Sequence, residues 1–350
     1  MLKRVIIIFL LVSVFFNEAK TQNINRAGTS AAQFLKFGAG ARANAMGEAG
    51  VALAEDISGL YWNPAGIARI GKKSIMVSRN QLYADLFSNF FGFAFPITKN
   101  SALGISGVFL NSEQMEITTL EEPQGTGNYF SWESMYVAVS YSRFVTDRLS
   151  LGATVKYIRE GAYNQKAHAV AIDIGSLLDT GVLGMKLGMS LCNLGTDMQL
   201  SGSSLGINHD WYTNHSGSIS SPANLETGKW HLPLIFRLGL STELIGVNGQ
   251  LIKNEGYKVI IAADTFDPND ALLRSNFGLE YEWNNIFALR CGYRGVSLEK
   301  DEYESYITSS FTLGAGMKYK FDFANTQIDY SFVDYKILGS GHQFSLILSF

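Results

Sequence analysis

Charge is scarce in this 350-residue chain: Asp, Glu, Lys and Arg make up 17% of it, and 28 basic against 31 acidic residues leave a net charge of -3. So even a balance gives no electrostatic footprint for a nucleic acid. The chain has six prolines, five histidines and two cysteines. Cys192 and Cys291 fall in separate segments and read as small apolar residues of different strands, not as a disulfide framework. Among His168, His209, His215, His231 and His342, the nearest approach to a metal pattern is His209-Asp210 with His215. No helix or cysteine completes it, so it reads as a solvated loop. The acidic groups Glu121-Glu122 and Glu299, Asp301, Glu302 and Glu304 read as solvated charge, not as acid-base pairs or calcium ligands. The sequence therefore points to no catalytic, cofactor or metal site, and a non-enzymatic role is expected.

Long hydrophobic runs are also lacking. The one apolar run near the start, Val5 to Phe16, follows Met1-Leu2-Lys3-Arg4 and ends at Asn17-Glu18, with small residues at Ala19 and Thr21. A basic start, an apolar core of about a dozen residues and a small-residue processing site form a secretory signal peptide. We assign it to residues 1–21, with cleavage before Gln22. A spanning helix needs about twenty apolar residues, and no later segment supplies them. If the exported chain crosses a membrane, it does so as a closed barrel.

What the sequence has in quantity is Gly (35), Phe (23) and Tyr (16). From about residue 72 onward, segments of two-residue period alternate with connectors rich in Gly, Asn, Asp and Pro. In the last segment Phe344, Leu346, Leu348 and Phe350 share one face while Gln343, Ser345 and Ser349 share the other. Leu149, Leu151, Ala153, Val155 and Tyr157 likewise oppose Ser150, Gly152, Thr154 and Lys156, and Leu232, Leu234, Phe236 and Leu238 oppose Arg237 and Gly239.

Fourteen such strands are predicted, near 73–82, 87–96, 101–112, 134–145, 149–160, 168–175, 182–193, 231–243, 257–266, 274–283, 286–296, 309–320, 323–333 and 342–350. An even count, broadly alternating short and long connectors and aromatic strand ends define an all-β fold: a transmembrane antiparallel β-barrel over residues 72–350. Short turns are assigned to the periplasmic side and long polar loops to the outside. The connector around Gly246 to Asn254 is too long for this rule. Tyr319, Tyr281, Trp283 and Phe350 fall at the periplasmic strand ends and Tyr157 and Tyr293 at the outer ends, as two aromatic girdles. Lys156, Arg159, Lys186, Arg237, Arg290, Arg294 and Lys318 are predicted to face the lumen with Glu280, Glu282, Asp264 and Asp329, holding wall and contents together by ion pairs. Terminal Phe350 is expected to be the barrel assembly signal, by resemblance to other barrels.

Residues 22–71 differ, being rich in Ala and Gly with no two-residue period. Gly38-Ala39-Gly40-Ala41-Arg42-Ala43 follows no strand and is not a dinucleotide loop. Asn63 suits a helix N-cap and Pro64 the first helical position. Phe34, Leu35, Phe37, Tyr61 and Trp62 are too apolar for a free tail, so the segment is expected to fold into the barrel mouth as a plug with short helices.

These residues carry a family resemblance. Gly40-Ala41-Arg42-Ala43-Asn44-Ala45-Met46-Gly47, Ala54-Glu55-Asp56 and Tyr61-Trp62-Asn63-Pro64-Ala65-Gly66 resemble the N-terminal signature of the PorV/PorQ family of Bacteroidetes, barrels similar to the fatty-acid transporter FadL. The resemblance singles out Arg42, Gly47, Asp56, Trp62, Asn63, Pro64, Ala65 and Gly66 as a plug motif. It implies an outer-membrane barrel, contacting lipid, that is an adaptor in type IX secretion or surface assembly, with the translocon and cargo proteins as partners. The alternative it implies is a FadL-like transporter of hydrophobic small molecules.

Overall fold

In a strand one face repeats every second residue, and here that repeat separates bulky apolar side chains from small or polar ones. The computed structural model, which describes residues 28–210, 220–297 and 309–350, turns this repeat into a closed wall. The strands are β1 (Ser74–Gln81), β2 (Phe87–Thr98), β3 (Ser101–Asn111), β4 (Trp132–Phe144), β5 (Leu149–Ala162), β6 (Gln165–Asp179), β7 (Lys186–Gly195), β8 (Ile235–Gly246), β9 (Tyr257–Pro268), β10 (Arg274–Trp283), β11 (Phe287–Ser297), β12 (Ser310–Lys320), β13 (Asn325–Asp334) and β14 (Ser340–Ser349). Each pairs antiparallel with its neighbours in sequence, and β1 pairs with β14 from Ser74 opposite Ser349 to Gln81 opposite His342. This closes a fourteen-stranded antiparallel barrel, as the sequence predicts, and removes every free sheet edge from the wall. Among the described residues no helix is long and apolar enough to cross a membrane. Residues 1–21, His215 and the acidic group Glu299 to Glu304 lie outside the described residues.

The sense of the alternation is that of a barrel in lipid. On β5, Leu151, Val155 and Tyr157 are exposed, while Thr154, Lys156 and Ile158 are buried against the lumen. A soluble sheet would hide the bulky face and wet the polar one; here the apolar face points outward on strand after strand. Trp283 stacks on Phe287 at 6.1 Å and Tyr257 on Tyr281 at 6.5 Å near one rim. That rim, where β1 starts and β14 ends, carries the connectors 99–100, 145–148, 180–185, 247–256, 284–286 and 321–324. We call it the turn rim. The opposite, loop rim carries the long connectors 112–131 and 196–234. Short ribbons pair Met115-Glu116 with Tyr129-Phe130 and Gly206–Asp210 with Ser220–Asn224.

Three details extend or correct the sequence reading. The long turn-rim connector is there, and it carries a two-residue strand, Ile252-Lys253, that folds back parallel to Ile245-Gly246. The stripe read from Leu232 through Leu238 breaks at Pro233, which has no N–H for the ladder. β8 accordingly starts at Ile235, and Leu232 is buried inside. Arg159, expected in the lumen, faces outward. It shares parity with Tyr157 and lies 3.9 Å from Glu133 on the outer face.

Candidate functional site

The lumen is occupied by the N-terminal segment of the chain itself, which runs from rim to rim. At the loop rim the Ala31 N–H donates to the His231 carbonyl at 2.9 Å, and the Ala32 N–H donates to Glu160 at 2.8 Å. Gln33 and Lys36 donate to the two carboxylate oxygens of Asp270 at 2.7 and 2.5 Å. Burial draws the Lys36 ammonium down and opposes charge on Asp270 too. The hydrogen bonds from Lys36 and Gln33, with the Lys36 charge, outweigh that burial and hold the Asp270 carboxyl below its usual range. The carboxylate's direction governs the clasp, because Gln33 supports Asp270 independently of Lys36. At the turn rim Arg69 bridges Glu55 at 3.0 Å and Asp179 at 2.7 Å.

Between these clasps the segment forms a 3-10 turn (Gln33–Lys36), helix α1 (Ala41–Ala45), helix α2 (Gly59–Trp62) and a second 3-10 turn (Pro64–Arg69). Asn63 ends α2 in an extended conformation, and its side-chain oxygen accepts from the Ala65 N–H at 3.2 Å. Pro64 follows where its missing N–H costs nothing. Asn63 also donates to the carbonyl of Ser176 in β6 at 2.9 Å, and Ser142 of β4 donates to the Ala65 carbonyl at 2.9 Å. The cap that starts the turn therefore also ties it to the wall. The Trp62 indole N–H donates to the Ala39 carbonyl at 2.8 Å, and the Arg237 guanidinium stands 5.2 Å from its ring.

Two glycines of the motif have no substitute. Gly66 packs so closely that a Cβ would lie 1.4 Å from the Ala54 carbonyl oxygen; Gly47 has φ +67° and its Cβ would meet the Phe277 carbonyl oxygen of β10 at 2.6 Å. The wall makes room in the same way. An added Cβ on Gly152 of β5 would sit 2.4 Å from Pro64, and one on Gly292 of β11 2.1 Å from the Gly47 nitrogen.

Charge completes the fit. Arg42 grips Glu280 of β10 with two hydrogen bonds of 2.9 and 2.8 Å and lies 3.5 Å from Asp56. Arg290 joins Glu280 at 2.6 Å to Asp329 at 2.7 Å, and all three side chains are buried. Arg294 pairs with Glu48, Lys186 with Glu55, and Lys318 with Glu282 at 2.6 Å. Asp264 accepts from the Val51 N–H at 2.8 Å. Of the charges expected inside, all but Arg159 are there. The sequence reading missed their luminal partners Glu48 and Glu55, together with Lys36 and Asp270, because each pairing spans the chain and no local pattern records it.

The eight motif residues are thus brought together in one packed body: Arg42 meets Asp56, Trp62 to Gly66 form a continuous run, and Gly47 touches the far wall. Phe350 lies apart, half exposed at the turn rim, its N–H donating to the Lys73 carbonyl at 2.9 Å. Cys192 and Cys291 are both free thiols. Among the described residues no group of His, Cys, Asp and Glu has the arrangement to hold a metal ion.

A closed barrel of this strand number, apolar outside and filled by its own N-terminal segment, has the architecture of an outer-membrane β-barrel. Residues 19–180 match the family model described as type IX secretion system protein PorV, which bears out the PorV/PorQ resemblance; the matched stretch covers the segment and strands β1 to β6. Among solved structures, the barrel is similar to the Pseudomonas putida toluene transporter TodX (15% identity, 89% of this chain and 97% of that one, TM-score 0.55). It is also similar to the CymD monoaromatic hydrocarbon channel (12%, 89% and 96%, 0.56) and to the Ralstonia pickettii toluene transporter TbuX (13%, 89% and 97%, 0.53). At these identities the likeness is one of fold. No curated protein matches the sequence.

Proposed function

We propose that this barrel is a non-enzymatic adaptor in type IX protein secretion or surface assembly, exported by residues 1–21, plugged by residues 22–71 and anchored in lipid by residues 72–350. The observation that carries the reading is the family match over residues 19–180, the stretch that includes the whole plug motif. A second feature supports it: the plug is clasped at both rims and ion-paired to the wall between them, which suits a fixed scaffold offering its long loops to partners. Its partners on this reading are the secretion translocon and cargo proteins, with lipid around the wall.

The alternative, passage of hydrophobic small molecules, draws on the fold shared with TodX and CymD. The two readings call for different companions. Affinity purification of the tagged barrel from native membranes should recover a secretion pore or cargo, and deletion of the gene should strand cargo inside the cell. Normal secretion in the deletion strain, together with lost uptake of a hydrophobic compound, would refute the adaptor.

A further inference from the structure

The outward column of β5 runs Leu151, Val155, Tyr157 and then Arg159, where the apolar band ends. At about 3.4 Å per residue, Arg159 lies roughly 7 Å beyond Tyr157 toward the loop rim. The next outward position is Gly161, opposite Glu133 of β4 and Lys166 of β6. A Cβ there would lie 2.3 Å from the Gln165 carbonyl oxygen, so only a glycine lets the hairpin fold in this close. Beside it the 129–130 ribbon and the hairpin at Tyr163 bound a cleft of about 370 Å³, lined by Tyr129, Phe130, Tyr163, Glu133, Arg159 and Lys166.

The cations of this cleft are held unlike those of the lumen. Luminal Arg42 and Arg290 contact carboxylates at 2.6 to 2.9 Å. Arg159 is 3.9 Å from Glu133, whose own side chain is 66% exposed, too far for a charge-assisted hydrogen bond of about 2.8 Å. Among the described residues no carboxylate pairs with Lys166, which is exposed. His168 is engaged with the Tyr157 hydroxyl at 2.7 Å. Two cations with donors to spare, set in an aromatic-walled cleft just beyond a lipid-facing apolar band, match an anion that is attached to a hydrocarbon.

We infer that this cleft binds the phosphorylated headgroup of an outer-leaflet lipid. Arg159 presents its planar fork to two phosphate oxygens and Lys166 adds a point charge. Glu133 is displaced to solvent, the aromatic rings cover the headgroup, and the acyl chains run down Tyr157, Val155 and Val170.

Native mass spectrometry of the full-length barrel, delipidated in neutral detergent, tests this with a bisphosphorylated glycolipid as probe. Arg159→Gln and Lys166→Gln should each weaken binding about tenfold, the worth of one charge-assisted contact. Arg159→Lys should keep most of it. Arg79→Gln, which removes an outward cation of β1 lying 4.8 Å from the Phe87 ring of β2, should leave it unchanged. Equal binding by the Arg159→Gln/Lys166→Gln variant, or an equal loss in Arg79→Gln, would overturn the site. Equal binding of the dephosphorylated glycolipid would overturn the phosphate, and inorganic phosphate binding as tightly as the lipid would overturn the lipid. All of these substitutions lie on the outer surface, and heat-modifiable gel migration reports that each barrel is folded.

Discussion

Arg42→Met removes the link between plug and wall on which the luminal charge network turns. The wild-type guanidinium makes two hydrogen bonds, 2.8 and 2.9 Å, to a Glu280 side chain that is 1% exposed. Breaking a buried pair by deleting one partner costs about 3–5 kcal/mol, because the other charge stays in a poor solvent. Arg290 remains on Glu280 at 2.6 Å, so the low end applies, about 3 kcal/mol. That corresponds to a roughly hundredfold rise in the population with the plug released. Hydrogen exchange of the α1 amides in the detergent-solubilised barrel reads this directly, and the loss of protection should match. Glu280→Gln should be milder, and the Arg42→Met/Glu280→Gln variant should recover much of the loss, because the stranded carboxylate is gone. A coupling energy below about 0.5 kcal/mol between the two sites would refute the claim that this pair holds the plug.

Three further outcomes follow from the same geometry. Gly175→Val in β6 places a Cβ 2.2 Å from the Asn63 side-chain oxygen and should lower the thermal transition of the barrel by overpacking, about 1–3 kcal/mol, whereas Ala153→Val on the outer face should leave it unchanged. The Asp270 carboxyl titrates below its usual range because Lys36 and Gln33 favour its charged form. Its contribution is complete above the unfolded value of about 3.9 and is lost as pH falls through the lower folded value. Exchange protection at residues 32–37 should therefore hold from pH 8 to 5 and fall under pH 4, and Asp270→Asn should abolish that acid step. Deleting Phe350 removes one seam hydrogen bond, worth about 1 kcal/mol. The refolded variant should be nearly as stable as wild type while its insertion in cells fails; normal insertion would contradict its role as an assembly signal.

The wall is legible in the sequence because lipid demands the same thing of every strand, an apolar residue at every second outward position. A strict two-residue period marks the strands, and two positions depart from the simple stripe. Arg159 shares its face with Tyr157, and the sequence already said so. Pro233, with no N–H for the ladder, separates Leu232 from the strand that starts at Ile235. The fit of the plug was much less legible. Gly152, Gly175 and Gly292 look like weak strand residues until the Asn63 to Pro64 corner and the Gly47 backbone are seen against them. Arg42 and Glu280 are 238 residues apart, and nothing local in either position names the other. Asn63-Pro64 announced its turn, since capping is a matter of adjacent residues, but the Ser176 carbonyl that it also holds belongs to tertiary structure alone.

The seam between β1 and β14 has a bearing on how the molecule is made. Gln343, facing inward on the last strand, accepts from Asn44 and donates to Ser78 of β1 at 2.9 Å. The final strand thus reads two earlier parts of the chain at once, its neighbour in the wall and the helix inside. A barrel zipped shut around an empty bore would leave Gln343 without Asn44, Asp264 without the Val51 N–H, and Lys186 without Glu55. The luminal segment is thus a condition of closure: a cylinder shut without it lacks the bonds that tie its last strand and its wall to the core.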